Sequence, residues 1–338
     1  MNRFFASGGE FAGIERMFPA SRFASDGQGL GDDAFLWTPA PGETWVASTD
    51  SSVEGVHFRL DWMTRTEALH KALLSNLSDI NAMGGRTRHA LFALGAPAAF
   101  TETDFETVGL ALRAWEERYG FRVVGGDTTR SHGAEFHTFT VLGVVGEGGA
   151  LLRGAARPGQ RIYVSGTLGG SAAGLELLRN PPRSSSAARG VAFDTLRRAH
   201  VSPAPPLALG PALSALQQHH RAGEPGYGIA AIDLSDGLSS ELWHLARQSG
   251  CALTIDFDAL PAHPALSQFP DAQARDFILH GGEEYQLVFT GAFTGAELAG
   301  LRALTPVTEV GTVSEGEGVY LTESGDTRAL MAGGFTHT

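Results

Sequence analysis

Apolar residues recur at helical spacing over Thr64–Gly85: Leu69, Leu73, Leu77 and Ile80 share one face at about 100° per residue. The segment opens on a capping-box pattern, Thr64-x-x-Glu67, and ends at Gly84–Gly85. Asn76 falls inside the apolar arc and Asp79 at its edge. Both need partners there, because an unpaired buried polar group is costly. Further helices are predicted over Glu10–Phe18, Phe105–Tyr119, Ser171–Arg179 and Leu238–Ser249. Strands are predicted over Trp45–Asp50, Phe121–Val124, Glu135–Gly146, Arg161–Ser165 and Ile229–Asp233. Others follow over Ala252–Phe257, Tyr285–Thr290, Val307–Val313 and Val319–Thr322. Asn180–Ala188 reads as a surface loop and His200–Pro206 as a Pro-rich linker. The alternation of strands and helices predicts an α/β or α+β chain in two domains, 1–148 and 149–338, divided at the glycines of Gly146–Gly149.

Length agrees with two domains, since 338 residues is about twice the usual 150. An apolar share of 43% with 18% charged residues excludes disorder as the main state. The net charge of −12 argues against non-specific binding to nucleic acid or to an anionic membrane, both of which need a basic face. The longest apolar run, Ala90–Phe100, is broken by Gly95 and Pro97 and falls far short of a membrane span. No secretory signal is visible at the N-terminus. The single cysteine, Cys251, rules out an internal disulfide and any CxxC metal site, and fits a cytoplasmic protein. Lys71 is the only lysine; every other cationic chain is arginine.

P-loop, HExxH, GxSxG and HRD motifs are all absent. Gly166–Gly174 follows a strand and opens a helix, as a phosphate-cradling turn does, but it reads first as a tight strand-to-helix turn. The informative pattern is carboxylates where apolar runs end. Asp50 closes one predicted strand, Asp127 another, and Asp233 with Asp236 a third; Asp32 and Asp33 form a further pair. In α/β sheets ligands bind beyond the carboxyl ends of strands. Converging carboxylates repel one another unless a hard cation relieves them, and Mg²⁺ held by carboxylates and substrate phosphates is a common solution. Singly, each aspartate could be a turn residue, and Ser235 or Asp236 could cap the helix at Leu238.

The segments are distinctive as an ordered set: Gly31-Asp-Asp-Ala34, Ser48-Thr-Asp-Ser-Ser-Val-Glu-Gly-Val-His-Phe58, Lys71–Asp79, Ala82-Met-Gly84, Gly125-Gly-Asp-Thr-Thr129, Ile232-Asp-Leu-Ser-Asp-Gly-Leu238 and Gly281-Gly-Glu-Glu-Tyr-Gln-Leu287. Together they resemble the thiamine-monophosphate kinase family, of the superfamily that includes aminoimidazole ribonucleotide synthetase and selenophosphate synthetase. The resemblance implies ATP- and Mg²⁺-dependent phosphorylation of thiamine monophosphate to thiamine diphosphate. It implies a homodimer in which the N-terminal, ATP- and Mg²⁺-binding domain shares a β-barrel with its twin, and a C-terminal α/β domain. By position it assigns Asp33, Ser48, Thr49, Asp50, Asp79, Asp127, Asp233 and Asp236 to the metals. Gly126, Asp127, Arg153 and Ser235 fall to the nucleotide, and His57, Glu283 and Phe335 to the thiamine end.

The chain departs from the family in places. Glu283-Glu-Tyr-Gln286 stands where the family usually reads Glu-Asp-Tyr-Glu, and only Gly334-Phe-Thr-His337 survives of the C-terminal motif. The rivals are another ATP-dependent enzyme of the superfamily, a non-catalytic nucleotide- or metal-binding scaffold, and a metal-dependent phosphohydrolase. An N-terminal reactive cysteine, expected of selenophosphate synthetase, is missing.

Overall fold

The structure, a computed structural model, describes residues 9–18, 34–181, 187–224 and 227–334. They divide into two compact units: the described part of Met1–Ile80 with Arg86–Val144, and Asn81–Gly85 with the described part of Val145–Thr338.

The first unit carries α1 (Gly9–Met17), β1 (Glu43–Val53), α2 (Arg65–Ala82), β2 (Arg86–Pro97), α3 (Glu102–Tyr119), β3 (Arg122–Ser131) and β4 (Phe136–Gly146). Its sheet runs β1-β4-β2-β3, with β4 antiparallel and β3 parallel to β2. The predicted apolar face of α2 is buried. Its capping box forms as expected: the Thr64 amide donates to Glu67 Oε2 at 2.8 Å and the Glu67 amide to Thr64 Oγ1 at 3.2 Å. A second capping box, Thr101 with Asp104, starts α3, and left-handed Gly120 ends it.

Two expectations change here. The broken run at Ala90–Phe100 supplies most of β2, a central strand that the glycine and proline disguised. Asp50 and Asp127 do not end strands, because β1 continues to Val53 and β3 to Ser131. The sequence Gly125–Thr129 stays extended because β2 lies alongside, pairing Phe92 with Gly126 and Ala93 with Asp127. Only glycine permits that path. Gly126 has φ +156°, and a Cβ there would lie 1.8 Å from the Phe92 carbonyl oxygen.

The second unit carries β5 (Arg161–Ser165), α4 (Gly170–Arg179), α5 (Ala187–Val201), α6 (Leu209–Gly223), β6 (Ala231–Asp233), α7 (Leu238–Ser249), β7 (Ala252–Asp256), α8 (Asp271–His280), β8 (Leu287–Gly291), α9 (Gly295–Leu304), β9 (Val307–Ser314), β10 (Gly318–Glu323) and β11 (Asp326–Ala329). The sheet order is β11-β10-β7-β9-β5-β8-β6. Side chains alternate between its faces. Ile162, Val164, Ile232 and Val288 join one core with Leu238, Leu242 and Leu245 of α7. Tyr163, Ala231, Leu287 and Phe289 join another with Leu209 and Leu213 of α6 and Leu301 of α9. Helices on both faces make this the α/β layering that the alternation predicts.

Four helices here, α5, α6, α8 and α9, were not legible as such. The buried stripe of α6 includes Gly210, Ser214 and Gln217, so its periodicity is masked by small and polar residues. The helix α5 runs through His200 and Val201, where a linker is expected, and Pro203 lies just beyond its end. Strand β8 starts two residues later than expected, because Tyr285 has φ +51°, which no strand accepts. Among the described residues neither sheet closes on itself, so they form no barrel.

Gly126→Ala is expected to lower stability by about 2 kcal/mol or more, through a strained φ and a backbone clash. Gly133→Ala, with open space around it, is the control and should cost less than about 0.5 kcal/mol. Denaturant melts compare the two; equal losses would refute the close approach of β2 and β3.

Candidate active site

In the first unit, β1 presents Ser48 and Asp50 on one face and Thr49 and Ser51 on the other, by the two-residue period of a strand. The helix α2 meets the first face with the two polar residues that its sequence pattern singled out. Ser48 Oγ donates to Asp79 Oδ2 at 2.5 Å, and the Asp50 amide donates to Asn76 Oδ1 at 3.0 Å. Asn76 in turn donates to the Ala72 carbonyl at 2.8 Å, so its amide is satisfied although fully buried. Asn76 is thus a positioning residue for Asp50.

The Thr49 hydroxyl goes the other way. It donates to the Phe139 carbonyl at 3.1 Å and lies 2.9 Å from Thr140 Oγ1, so its side chain is not on the Ser48–Asp50 face. Ser51 Oγ lies 2.7 Å from Thr138 Oγ1, Thr138 pairs with Ala93, and Ala93 with Asp127. Asp127 and β1 therefore occupy opposite edges of one sheet row, about 14 Å apart for three strand spacings. The structure brings Ser48, Asp50 and Asp79 together and leaves Asp127 at the far edge, on exposed backbone beside Gly126. Among the described residues no group of three His, Cys, Asp or Glu is close enough to hold a metal. Asp33, with its neighbour Asp32, lies outside the described residues.

His57 sits in a turn after β1. Its Nδ1 accepts the Val53 amide at 3.1 Å, so in the neutral ring the proton is on Nε2, which can donate. The turn is held from behind by a buried charge network that the sequence reading missed. The Glu54 amide donates to the Glu135 carbonyl at 2.9 Å. The fully buried Glu135 carboxylate accepts Arg65 Nε on both oxygens, at 3.0 and 2.9 Å, and lies 2.8 Å from His137 Nε2. The same Arg65 reaches Asp104 of the α3 capping box. Phe58, next to His57, stacks on the His137 ring at 5.2 Å. Glu135-x-His137 on one strand face was the available signal, since two polar residues at that spacing share a burial.

In the second unit, Asp233 ends β6 and is buried. Ser235 and Asp236 follow, half-buried, in the turn before α7. The capping alternative does not hold: the N-cap of α7 is Gly237, with no side-chain bond. Glu241 reaches back instead, accepting the Asp236 amide at 2.8 Å and Ser235 Oγ at 3.3 Å. Burial pushes the Glu241 carboxyl up; the nearby Asp236 charge pushes the same way, while the Asp236 amide, Ser235 and Arg153 pull it down. Arg153 stands on a 3₁₀ turn beside the last turn of α7, where its carbonyl accepts Ser249 Oγ at 3.0 Å, and its charge is felt at Glu241, which joins the group unforeseen.

The loop carrying Glu283 lies on the same turn. The Glu283 amide donates to the Ser235 carbonyl at 2.8 Å and the Tyr285 amide to the Leu234 carbonyl at 2.9 Å. A Cβ on Gly282 would lie 2.5 Å from the Ser235 carbonyl oxygen. Glu283 and Tyr285 are both left-handed, at φ +60° and +51°, a strain of about 1–3 kcal/mol each that clusters at functional sites. The second unit thus brings Asp233, Ser235, Asp236 and Glu283 together where β6 ends, with the Arg153 charge felt at Glu241. Phe335 lies outside the described residues.

The glycine-rich turn at Gly166–Gly174 is indeed a strand-to-helix turn, and its helix N-terminus is already occupied. Glu284 Oε1 accepts the Ser171 amide at 2.9 Å. The Glu284 side chain also walls a cavity of about 240 Å³ with Thr167, Arg198 and His263. Burial pushes its carboxyl up to about 8, against the Ser171 and Gly169 amides, with the Glu283 charge adding to the rise.

Each unit sets carboxylates along the strands and turns of a sheet packed with helices, and residues 31–147 match the family described as AIR synthase related protein, N-terminal domain. Among known proteins, the thiamine-monophosphate kinase of Salmonella typhimurium is 38% identical over 286 residues, 83% of this chain and 82% of its own. The crystal structure of thiamine-monophosphate kinase from Stenotrophomonas maltophilia is 33% identical, with a TM-score of 0.77 over 94% of this chain and 97% of that one. A structure of AaThiL complexed with AMPPCP and TMP is 28% identical, with a TM-score of 0.72 over 89% of each chain. The chain belongs to the thiamine-monophosphate kinase family.

The Glu284 carboxyl makes a testable difference to stability. Its folded value lies above the ordinary 4.5, so the folded chain keeps a proton that the unfolded chain releases. Stability from this group is full below about 4.5 and is lost as pH rises towards about 8. The melting temperature of the native protein, measured against that of Glu284→Gln, should therefore fall between about pH 5 and pH 8. A constant difference across that range would show that the carboxyl is not held neutral.

Proposed function

We propose that the protein transfers the γ-phosphoryl group of ATP to thiamine monophosphate, giving thiamine diphosphate and ADP in thiamine diphosphate biosynthesis. The observation that carries this reading is 38% identity with a named thiamine-monophosphate kinase across four-fifths of both chains. The AaThiL complex with AMPPCP and TMP supports the same pair of substrates. An oxygen of the acceptor phosphate bonds to the γ-phosphorus as the bond to the β–γ bridging oxygen breaks, and ADP leaves with that electron pair. The acceptor phosphate is already a nucleophile, so positioning and charge neutralisation are what the chain must supply.

Mg²⁺ fits the donor set. Ser48, Asp50, Asp79, Asp127, Asp233 and Asp236 offer only hard oxygen ligands. Mg²⁺ usually takes one or two carboxylates plus substrate phosphates and water rather than an all-protein cage. When bound, it would neutralise charge on the transferring phosphoryl group. Asp33 and Thr49 remain proposed ligands of the same kind. Gly126, Asp127, Arg153 and Ser235 are proposed for the nucleotide, with the Arg153 guanidinium as a fixed cation. His57, through Nε2–H, Glu283 and Phe335 are proposed for the thiamine end.

We also propose a homodimer through the first unit. Among the described residues, both edge strands, β1 and β3, have an unpaired side. Trp45 on β1 is 44% exposed, and Trp37 stacks on it at 4.2 Å. Open edges of this kind are ordinarily paired or covered, and a twin sheet would do so by closing a barrel. No helix among the described residues is long and apolar enough to cross a membrane. A cytoplasmic setting is the corresponding proposal, since ATP is there and Cys251 is free and buried.

Purified protein with ATP, Mg²⁺ and thiamine monophosphate should yield thiamine diphosphate and ADP by mass spectrometry. Free thiamine, which lacks the attacking phosphate, should be a poor acceptor; its direct conversion to the diphosphate would sink the assignment. Asp50→Asn, Asp127→Asn and Asp236→Asn should each lower kcat by about 100-fold or more, as losses of one preorganised electrostatic group do. Activity within about threefold of native for all three would remove the metal role.

A further inference from the structure

We propose that Glu284 is a positioning residue: its buried carboxyl pins the loop that carries Glu283 to the first turn of α4. The inference rests on the reading of Glu283 as a thiamine-side residue. It adds to that reading the device that fixes where Glu283 stands.

Three observations lead to it. The loop has left-handed residues on either side of Glu284, at Glu283 and Tyr285, so its path is held by its surroundings rather than by local preference. Its backbone is tied on one flank to the Leu234–Ser235 turn, by the Glu283 and Tyr285 amides. Glu284 ties it on the other flank, to a different element. The Ser171 amide is among the first of α4, where a helix has no internal acceptor for its N–H groups. Glu284 Oε1 accepts from that amide at 2.9 Å. The side chain is 8% exposed, so water is a poor substitute. Next to it, His200 Nδ1 lies 3.2 Å from Ser171 Oγ and 3.5 Å from Glu283 Oε2, so the first turn of α4 and the Glu283 carboxylate share a neighbour. A displacement of Glu284 would release the loop towards the cavity that this side chain walls.

What the pin needs is an acceptor of the right length, not a charge. Burial favours the neutral carboxyl, whose carbonyl oxygen still accepts. Glutamine keeps that oxygen, whereas methionine keeps the length and bulk and removes it. In the Glu284→Met protein the amides of Ser171, Glu283 and Tyr285 should exchange with deuterium at least tenfold faster than in the native protein. The KM for thiamine monophosphate should rise at least tenfold while that for ATP stays within twofold. Glu284→Gln should restore both readouts to within threefold of native.

Unchanged exchange in folded Glu284→Met would overturn the pin. Faster exchange with an unchanged KM for thiamine monophosphate would leave the pin standing and remove Glu283 from the substrate. A parallel rise in both KM values would show general loosening and overturn the positioning role. Should Glu284→Met fail to fold, the native protein still decides. A Ser171 amide exchanging as fast as a solvent-exposed amide would mean that no such bond exists.

Discussion

The first unit depends on a helix that breaks its own pattern. The helix α2 buries an apolar stripe yet carries Asn76 within it and Asp79 at its edge. Both defects are resolved by a single strand: Asn76 takes the Asp50 amide and Asp79 takes the Ser48 hydroxyl. A buried amide without such a partner would cost about 1–3 kcal/mol. The register of α2 on β1 is therefore set by polar bonds and not by apolar fit alone. A slip of one residue along β1 would take the Asp50 amide from Asn76 Oδ1 and turn Asp50 to the other face.

The second unit solves a related problem at a turn. Asp233, Ser235 and Asp236 precede a helix whose cap is a glycine, so none of the three is consumed in capping. Glu241 and Glu284 do the structural work from outside the turn, one on the Asp236 amide and the other on the first turn of α4. Both are buried carboxyls raised by their surroundings. Burial disfavours the charged form of each, and a backbone amide donated to each carboxyl, from Asp236 and from Ser171, pulls the other way.

How far the sequence could be read follows the same physics. Helices α2 and α3 announce themselves because their buried faces are mostly large and apolar, and α7 because Leu238, Leu242 and Leu245 recur at helical spacing. The helix α6 does not, because glycine, serine and glutamine fill part of its buried stripe. Strand β3 reads short in the sequence because Gly125 and Gly126 look like a turn, and only the neighbouring Phe92 carbonyl explains why the chain stays extended there. The aspartates themselves were visible in order along the chain, as were the polar positions of α2. Their partners were not: Glu135 with Arg65 is 70 residues apart in sequence, and Glu284 with Ser171 is 113. Spacing along a chain carries no trace of pairs made across a fold.

The single lysine has a chemical consequence of its own. Lys71 is 4% exposed, on the buried side of α2. Every other cationic side chain at neutral pH is a guanidinium, apart from such histidines as are protonated. Guanidinium groups stay charged across the whole working range of pH and resist the acylating agents that neutralise amines. Acetyl transfer, amine-directed crosslinkers and amine dyes thus find almost no side-chain foothold on this surface. Its electrostatic field is fixed by composition, beyond the reach of the commonest modification that erases a positive charge.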